Sequence, residues 1–109
     1  MVSTGAAERL MIYLEGSDRT GGTPTYVEIV ARARKAGLGG ATVLQGAEGF
    51  GASSRLHRQR GLSVVADIPV VVTIVDSAPR IDSFLASLGD LDLHGLVTRE
   101  PAEVIMHRR

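Results

Sequence analysis

Pro69-Val70-Val71-Val72-Thr73-Ile74-Val75 runs directly into Asp76-Ser77-Ala78-Pro79, and the change of pattern at that junction decides the fold. The first seven residues are mostly β-branched, the composition that packs well on a pleated surface, and they read as a strand. Ser77 suits the N-cap of a helix, and Pro79 is tolerated in a first turn. Ile81, Phe84, Leu85 and Leu88 then recur at i, i+3, i+4 and i+7, one apolar stripe of a helix that Gly89 ends. Asp76 reads as a capping or dipole partner of this helix.

The same strand-then-helix pair occurs upstream. Arg9-Leu10-Met11-Ile12-Tyr13-Leu14-Glu15 is apolar, lacks breakers and closes on the turn formers Gly16-Ser17-Asp18. Thr23 can cap a helix with Pro24 at its first position, and Tyr26, Ile29, Val30 and Ala33 keep helical spacing until Gly37. Glu28 and Arg32 fall one turn apart on its polar side. Ala41-Thr42-Val43-Leu44-Gln45 follows as a short strand between glycines. Residues 46–67, rich in Gly, Ser and Arg, form a connection long enough to suggest a functional or disordered loop. Strand-like pieces at Leu96-Val97-Thr98 and Glu103-Val104-Ile105-Met106 end the chain, with an interruption expected at Glu100-Pro101 because proline cannot donate a ladder bond.

The order β, α, β, long loop, β, α, β predicts an α+β, ferredoxin-like βαββαβ sandwich with an antiparallel sheet. A chain of 109 residues suits one core, so residues 9–109 are expected as a single domain behind a disordered tail at 1–8. Two helices cover one face of such a sheet. The nearly continuous apolar character of the first and third strands predicts a partner on the other face, and hence an oligomer.

Composition narrows the function. Lys and Arg number 12 and Asp and Glu also 12, so the whole chain lacks the positive field that general nucleic-acid binding exploits. Four aromatic residues, Phe50, Phe84, Tyr13 and Tyr26, offer few platforms for stacking bases. The longest apolar run is far shorter than the roughly 20 residues of a membrane span. Without cysteine there is no disulfide framework or thiolate metal site, which suits the cytoplasm. No positively charged and apolar leader precedes the first strand, so no secretory signal is expected.

Within the long connection, Gly46, Gly49 and Gly51 allow either a simple turn or a nest of backbone N–H groups that approaches a phosphate. Arg55, His57, Arg58 and Arg60 form either a solvated loop or a cluster matched to phosphates or a partner's carboxylates. Ser53 and Ser54 are loop residues that could also bond a ligand. His57, His94 and His107 lack the paired spacing of a zinc site and read as surface or turn histidines, so no metal site is expected. No nucleophile is paired with a base, and no catalytic residue is predicted.

Gly40-Ala41-Thr42-Val43-Leu44-Gln45-Gly46-Ala47-Glu48-Gly49-Phe50-Gly51 resembles the point in nitrogen-regulatory PII proteins where the second strand opens into a G-F-G loop motif. The resemblance is closer to domain-of-unknown-function family 190, a PII-like family, through Ser17-Asp18-Arg19 with Pro24 and Tyr26, Ser54-Arg55 with His57, and Leu62-Ser63 before Asp67-Ile68-Pro69. It continues at Val75-Asp76 and Gly95-Leu96-Val97-Thr98. What it implies is a homotrimer that binds a nucleotide or other small effector in clefts between subunits and signals by reshaping the loop, with a membrane transporter or channel as the regulated partner. It also implies ligand-binding roles for Gly46, Gly49, Phe50, Gly51, Ser53, Ser54, Arg55 and His57. Arg19 reads either as closing the cleft from the first βα loop or as an exposed turn residue, and Arg108 with Arg109 either resembles the basic C-terminal strand of PII proteins that reaches phosphates or belongs to a frayed tail.

The sequence departs from the regulatory PII proteins in three places. Their modified loop tyrosine has no counterpart in residues 46–67, Ala52-Ser53 stand where Arg-Gln follows their G-F-G, and Gly89-Asp90-Leu91-Asp92-Leu93-His94-Gly95 replaces their second glycine-rich motif. Control by modification of that tyrosine and sensing of 2-oxoglutarate by that route are therefore not expected, and nucleotide binding is not simply inherited. The backbone-exposing glycines, Arg55 and Arg58 downstream and the expected oligomer instead point to a small anion, with an adenine nucleotide foremost. Two other readings stand beside this one: a ligand-free structural or protein-docking oligomer, and a small ferredoxin-fold enzyme such as an acylphosphatase. The latter chemistry positions water with an asparagine, and this sequence contains none.

Overall fold

A computed structural model describes residues 2–49, 57–58, 68–91 and 93–108. In chain order the elements are β1 (Gly5–Glu15), β2 (Arg19–Thr20), β3 (Thr23–Pro24), α1 (Thr25–Lys35), β4 (Thr42–Gln45), β5 (Glu48–Gly49), β6 (His57–Arg58), β7 (Pro69–Asp76), α2 (Ala78–Ser87) and β8 (Leu96–Val104). The four long strands pair antiparallel in the order β4-β7-β1-β8, the strand order of the split βαβ. The remaining strands form two short ribbons, β2 with β3 and β5 with β6. No helix among the described residues is long and apolar enough to cross a membrane.

Alternation along the central strands sorts the side chains. Leu10, Ile12 and Leu14 of β1 and Val70, Val72 and Ile74 of β7 are buried beneath the helices. Ile29 and Ala33 of α1 and Ile81 and Phe84 of α2 meet them, with Leu88 and Leu91 closing the end. Tyr26, Val30 and Leu85, the other members of the two expected stripes, are partly buried against the same cluster. Register fixes the layers: Leu10 lies opposite Ile74, and Ile12 opposite Val72. Full burial of one such aliphatic side chain contributes about 1.5–3 kcal/mol, so these strands and helix stripes supply the main cohesive term.

Among the described residues, no helix covers the opposite face of the sheet. Met11 and Tyr13 of β1 and Val71 and Val75 of β7 stand there half-buried, and Leu44 of β4 and Leu96 of β8 are 57% and 58% exposed.

Three expectations change at the ends of elements. β1 begins at Gly5, so residues 5–8 are not a disordered tail; Gly5 to Glu8 pair with Val104 to Pro101. β8 is one strand through Pro101 rather than two pieces, because it lies at the sheet edge, where a proline nitrogen can face outward without breaking the ladder. α1 starts at Thr25, one residue past the expected proline, because Thr23 and Pro24 are drawn into pairing with Thr20 and Arg19.

Candidate functional site

One end of the sheet gathers four of the candidate residues that are described, Arg19, Gly46, Gly49 and His57. β1 and β4 end there, at Glu15 and Gln45, and β7 and β8 begin there, at Pro69 and Leu96. Two backbone bonds close this end: Gly16 N–H donates to the Ile68 carbonyl at 3.0 Å, and Gly46 N–H donates to the Pro69 carbonyl at 2.8 Å. Gly46 is required by contact, since a Cβ at this position would stand 2.8 Å from Cγ of Pro69. The long connection thus leaves and returns at adjacent points. Its described stem is the ribbon in which Glu48 pairs with Arg58 and Gly49 with His57. Phe50, Gly51, Ser53, Ser54, Arg55 and Arg60 lie outside the described residues.

The first βα connection shares this end. Asp18 holds it from both sides, its Oδ2 accepting the Glu15 N–H at 3.2 Å and its carbonyl accepting the Thr25 N–H at 2.8 Å. Thr20 and Thr25 hydroxyls meet at 2.9 Å. Arg19 is thereby fixed in β2 with its side chain exposed, on the same end of the sheet as the stem.

The turn after α2 completes the rim. Leu88 and Leu91 anchor it in the core, while Arg32 of α1 grips it from outside. The Arg32 guanidinium donates to both carboxylate oxygens of Asp90, at 2.6 and 2.9 Å, to the Ser87 carbonyl at 3.0 Å and to Glu28 at 3.1 Å. The hydrogen bond from Arg32 holds the Asp90 carboxyl below its usual value, and the bonds to Asp90 and then Glu28 raise the Arg32 value. The Glu28–Arg32 pair was legible in the spacing; its larger partner, 58 residues away from Arg32, was not.

Arg108 is elsewhere. Gly5 pairs with Val104, so the chain beyond β8 leaves from the opposite end of the sheet to the stem. At about 3.3 Å per residue, the length of β1 separates the two ends by roughly 30 Å. One copy of the chain therefore does not bring Arg108 to Gly46 and Gly49. At that far end lie residues that the sequence reading did not connect. Asp76 is buried, with Oδ2 accepting the Gly39 N–H at 3.0 Å and Oδ1 accepting the Ser77 N–H at 2.7 Å, while Arg80 Nε lies 3.1 Å away. Asp76, expected as a capping or dipole partner of α2, bonds the N–H of the N-cap residue Ser77 rather than one within the helix, and the Ser77 side chain makes no cap bond. A cavity of about 430 Å³ opens beside Gly39, between Thr42, Thr73, Val104 and His107.

Comparison with known proteins gives three findings. Residues 7–104 match domain-of-unknown-function family 190, described as "Uncharacterized ACR, COG1993". A "UPF0166 protein" of Aquifex aeolicus (strain VF5) is 32% identical over 96 residues, covering 88% of this chain and 90% of that protein. Among solved structures, CPII, a nitrogen regulatory PII-like protein from Thiomonas intermedia K12, bound to ADP, AMP and bicarbonate, superimposes with a TM-score of 0.70 at 15% identity, covering 99% of this chain and 94% of CPII. The apo form of CPII gives 0.61 at 14% identity, covering 95% and 97%. At these identities the structural likeness shows a shared ferredoxin-like, PII-like fold.

Proposed function

The chain belongs to domain-of-unknown-function family 190, and from that membership we propose that it is a cytoplasmic PII-like regulator rather than an enzyme. In this reading it is a homotrimer that binds a small anionic effector, an adenine nucleotide, in the clefts between copies. It regulates a partner, a transporter or channel, through the connection at residues 46–67.

The observation that carries the reading is the division of the described candidate residues between the two ends of one sheet. The glycine stem and Arg19 stand at one end and Arg108 follows β8 at the other. A site that uses both sets needs a second copy, and the uncovered apolar face with Leu44 and Leu96 gives copies a reason to associate. CPII, with the same fold, binds ADP and AMP. Regulation then requires only that the nucleotide bind two arrangements of the loop with different affinities.

Titration calorimetry against ATP, ADP, AMP and cyclic AMP tests the proposal. Binding is expected for at least one of them. Gly51→Val is expected to abolish it by blocking backbone approach, and Arg55→Ala and Arg108→Ala to weaken it by about 1.5–3 kcal/mol each, the scale of a charged hydrogen bond. No heat and no shift in melting temperature at millimolar ligand would remove the nucleotide from the reading.

A further inference from the structure

Beyond β8 the chain has little to hold it. Ile105 and Met106 are 74% and 61% exposed, and Arg108 is exposed. His107, between them, is partly buried, and its Nδ1 accepts the backbone N–H of Val2 at 2.7 Å, across 105 positions of sequence. Gly39 makes the seat for this contact. A Cβ at position 39 would collide with Cγ2 of Val2 and stand 3.4 Å from Cε1 of His107. Gly39 is in turn fixed by its N–H bond to buried Asp76. The segments before β1 and after β8 are thus joined over a backbone that β7 holds in place.

An imidazole nitrogen that accepts a hydrogen bond from an amide is unprotonated, so the second nitrogen carries the ring proton and the ring is neutral. Protonation would put an N–H against an N–H. The residues lining the adjoining cavity, Val2, Gly39, Gly40, Ala41, Thr42, Thr73, Val75, Val104 and Met106, carry no charge. The charged groups among the described residues packed around it are these. Asp76 lies behind Gly39 and is engaged by two N–H groups and Arg80, Glu103 of β8 is exposed, and Arg108 follows in the chain. Among the described residues, none of these makes a hydrogen bond or ion pair with the ring.

We infer that His107 is a positioning residue for Arg108: its neutral imidazole, latched to Val2 over Gly39, holds the C-terminal arm in place, and protonation releases the arm. The consequence for ligand capture rests on the proposed role of Arg108 at a neighbour's cleft; the latch itself does not. The contact exists with the ring neutral, so protonation of the ring breaks it.

The test uses the full chain with His107→Asn, which keeps an acceptor near the Nδ1 position but does not titrate, and His107→Ala, which has none. Imidazole ¹⁵N shifts report the protonation state of His107 while order parameters report the backbone at residues 105–108. In the unmodified protein these should stand near the rigid value of about 0.85 at neutral pH and fall below about 0.6 as the ring is protonated. His107→Asn should stay ordered at both pH values, and His107→Ala should be mobile at both. Affinity for ADP should follow the arm, falling roughly three- to tenfold on release, the scale of one net hydrogen bond. An arm equally mobile in the unmodified protein and His107→Ala at neutral pH overturns the latch, as does an acid-induced loss that persists in His107→Asn. ADP binding equal in all three proteins overturns the positioning role. An arm that behaves as described in a protein that binds no nucleotide supports the latch and overturns the proposed nucleotide function instead.

Discussion

The α-carbon of Gly95 lies against the carbonyl of Tyr13, so closely that a Cβ at position 95 would overlap the oxygen and approach Cδ2 of Leu14 to 3.8 Å. Gly95 is the last residue before β8, so this contact sets how that strand enters the sheet beside β1. The obstacle is backbone within a paired strand, which cannot swing aside as a long side chain could. Gly95→Ala is therefore expected to cost about 1–3 kcal/mol, the usual scale of overpacking. In a domain of this size that lowers the melting temperature by roughly 4–8 °C per kcal/mol. Gly89→Ala is the control, since its Cβ would meet the Ala86 carbonyl at an ordinary 3.5 Å. Equal losses for the two variants in thermal unfolding would contradict this account.

Asp76 supplies the second prediction. Asp76→Ala leaves the Gly39 and Ser77 N–H groups and the Arg80 guanidinium without their acceptor. The expected loss is about 1–3 kcal/mol in urea unfolding, the desolvation cost of buried donors left unpaired. Arg80→Ala should cost less, because the Arg80 side chain is half exposed and both N–H groups keep the carboxylate. The reverse order would show that the ion pair, and not the backbone bonds, is what matters at this corner.

The uncovered face can be tested without touching the core. Leu44 and Leu96 are exposed on edge strands, so Leu44→Glu with Leu96→Glu should leave the far-ultraviolet spectrum of the chain unchanged. Light scattering coupled to size exclusion should find a trimer for the unmodified protein and a monomer for the pair of substitutions, since neither charge can be buried without a partner. A monomeric unmodified protein at high concentration would end both the trimer and the shared-site model.

Acid should loosen the turn after α2. The hydrogen bond from Arg32 depresses the carboxyl of Asp90 in the folded chain, so its stabilising contribution is present above the ordinary carboxylate range and is lost as pH falls through the depressed value. Both partners lie toward solvent, and the effect is correspondingly modest and salt-sensitive. Asp90→Asn should flatten this part of the pH–stability profile in low salt. An unchanged acid limb would place the pH dependence elsewhere.

The strands and helices that carry the core were legible because their information is local. Ile81, Phe84 and Leu88 announce a face by spacing alone, and the unbroken apolar run from Leu10 to Leu14 announces a strand without saying which face is buried; the structure buries Leu10, Ile12 and Leu14 and the helix stripe. What escaped was set by distant pairing. Gly5 to Glu8 lack an apolar pattern and become strand only because Val104 to Pro101 lie alongside. Pro101 reads as a break until the edge position of its strand is known. Val2 with His107, and Arg32 with Asp90, are joined by tertiary geometry that no spacing encodes. Among the candidate ligand residues, the stem glycines and Arg19 do share one end of the sheet. Arg108 does not, a separation that follows from strand direction and was implicit in the predicted topology.

Pro101 also bears on how copies of the chain can meet. β8 is nine residues long and lies at the rim of the sheet, where an unbroken row of outward amide groups would template another strand, and then another. A proline seated there removes one of the donors that such growth needs, and Arg99, Glu100 and Glu103 put charge along the same rim. End-to-end extension into a fibril is thereby discouraged. The proposed association would then use the broad side of the sheet, where a finite, closed ring can form and then stop.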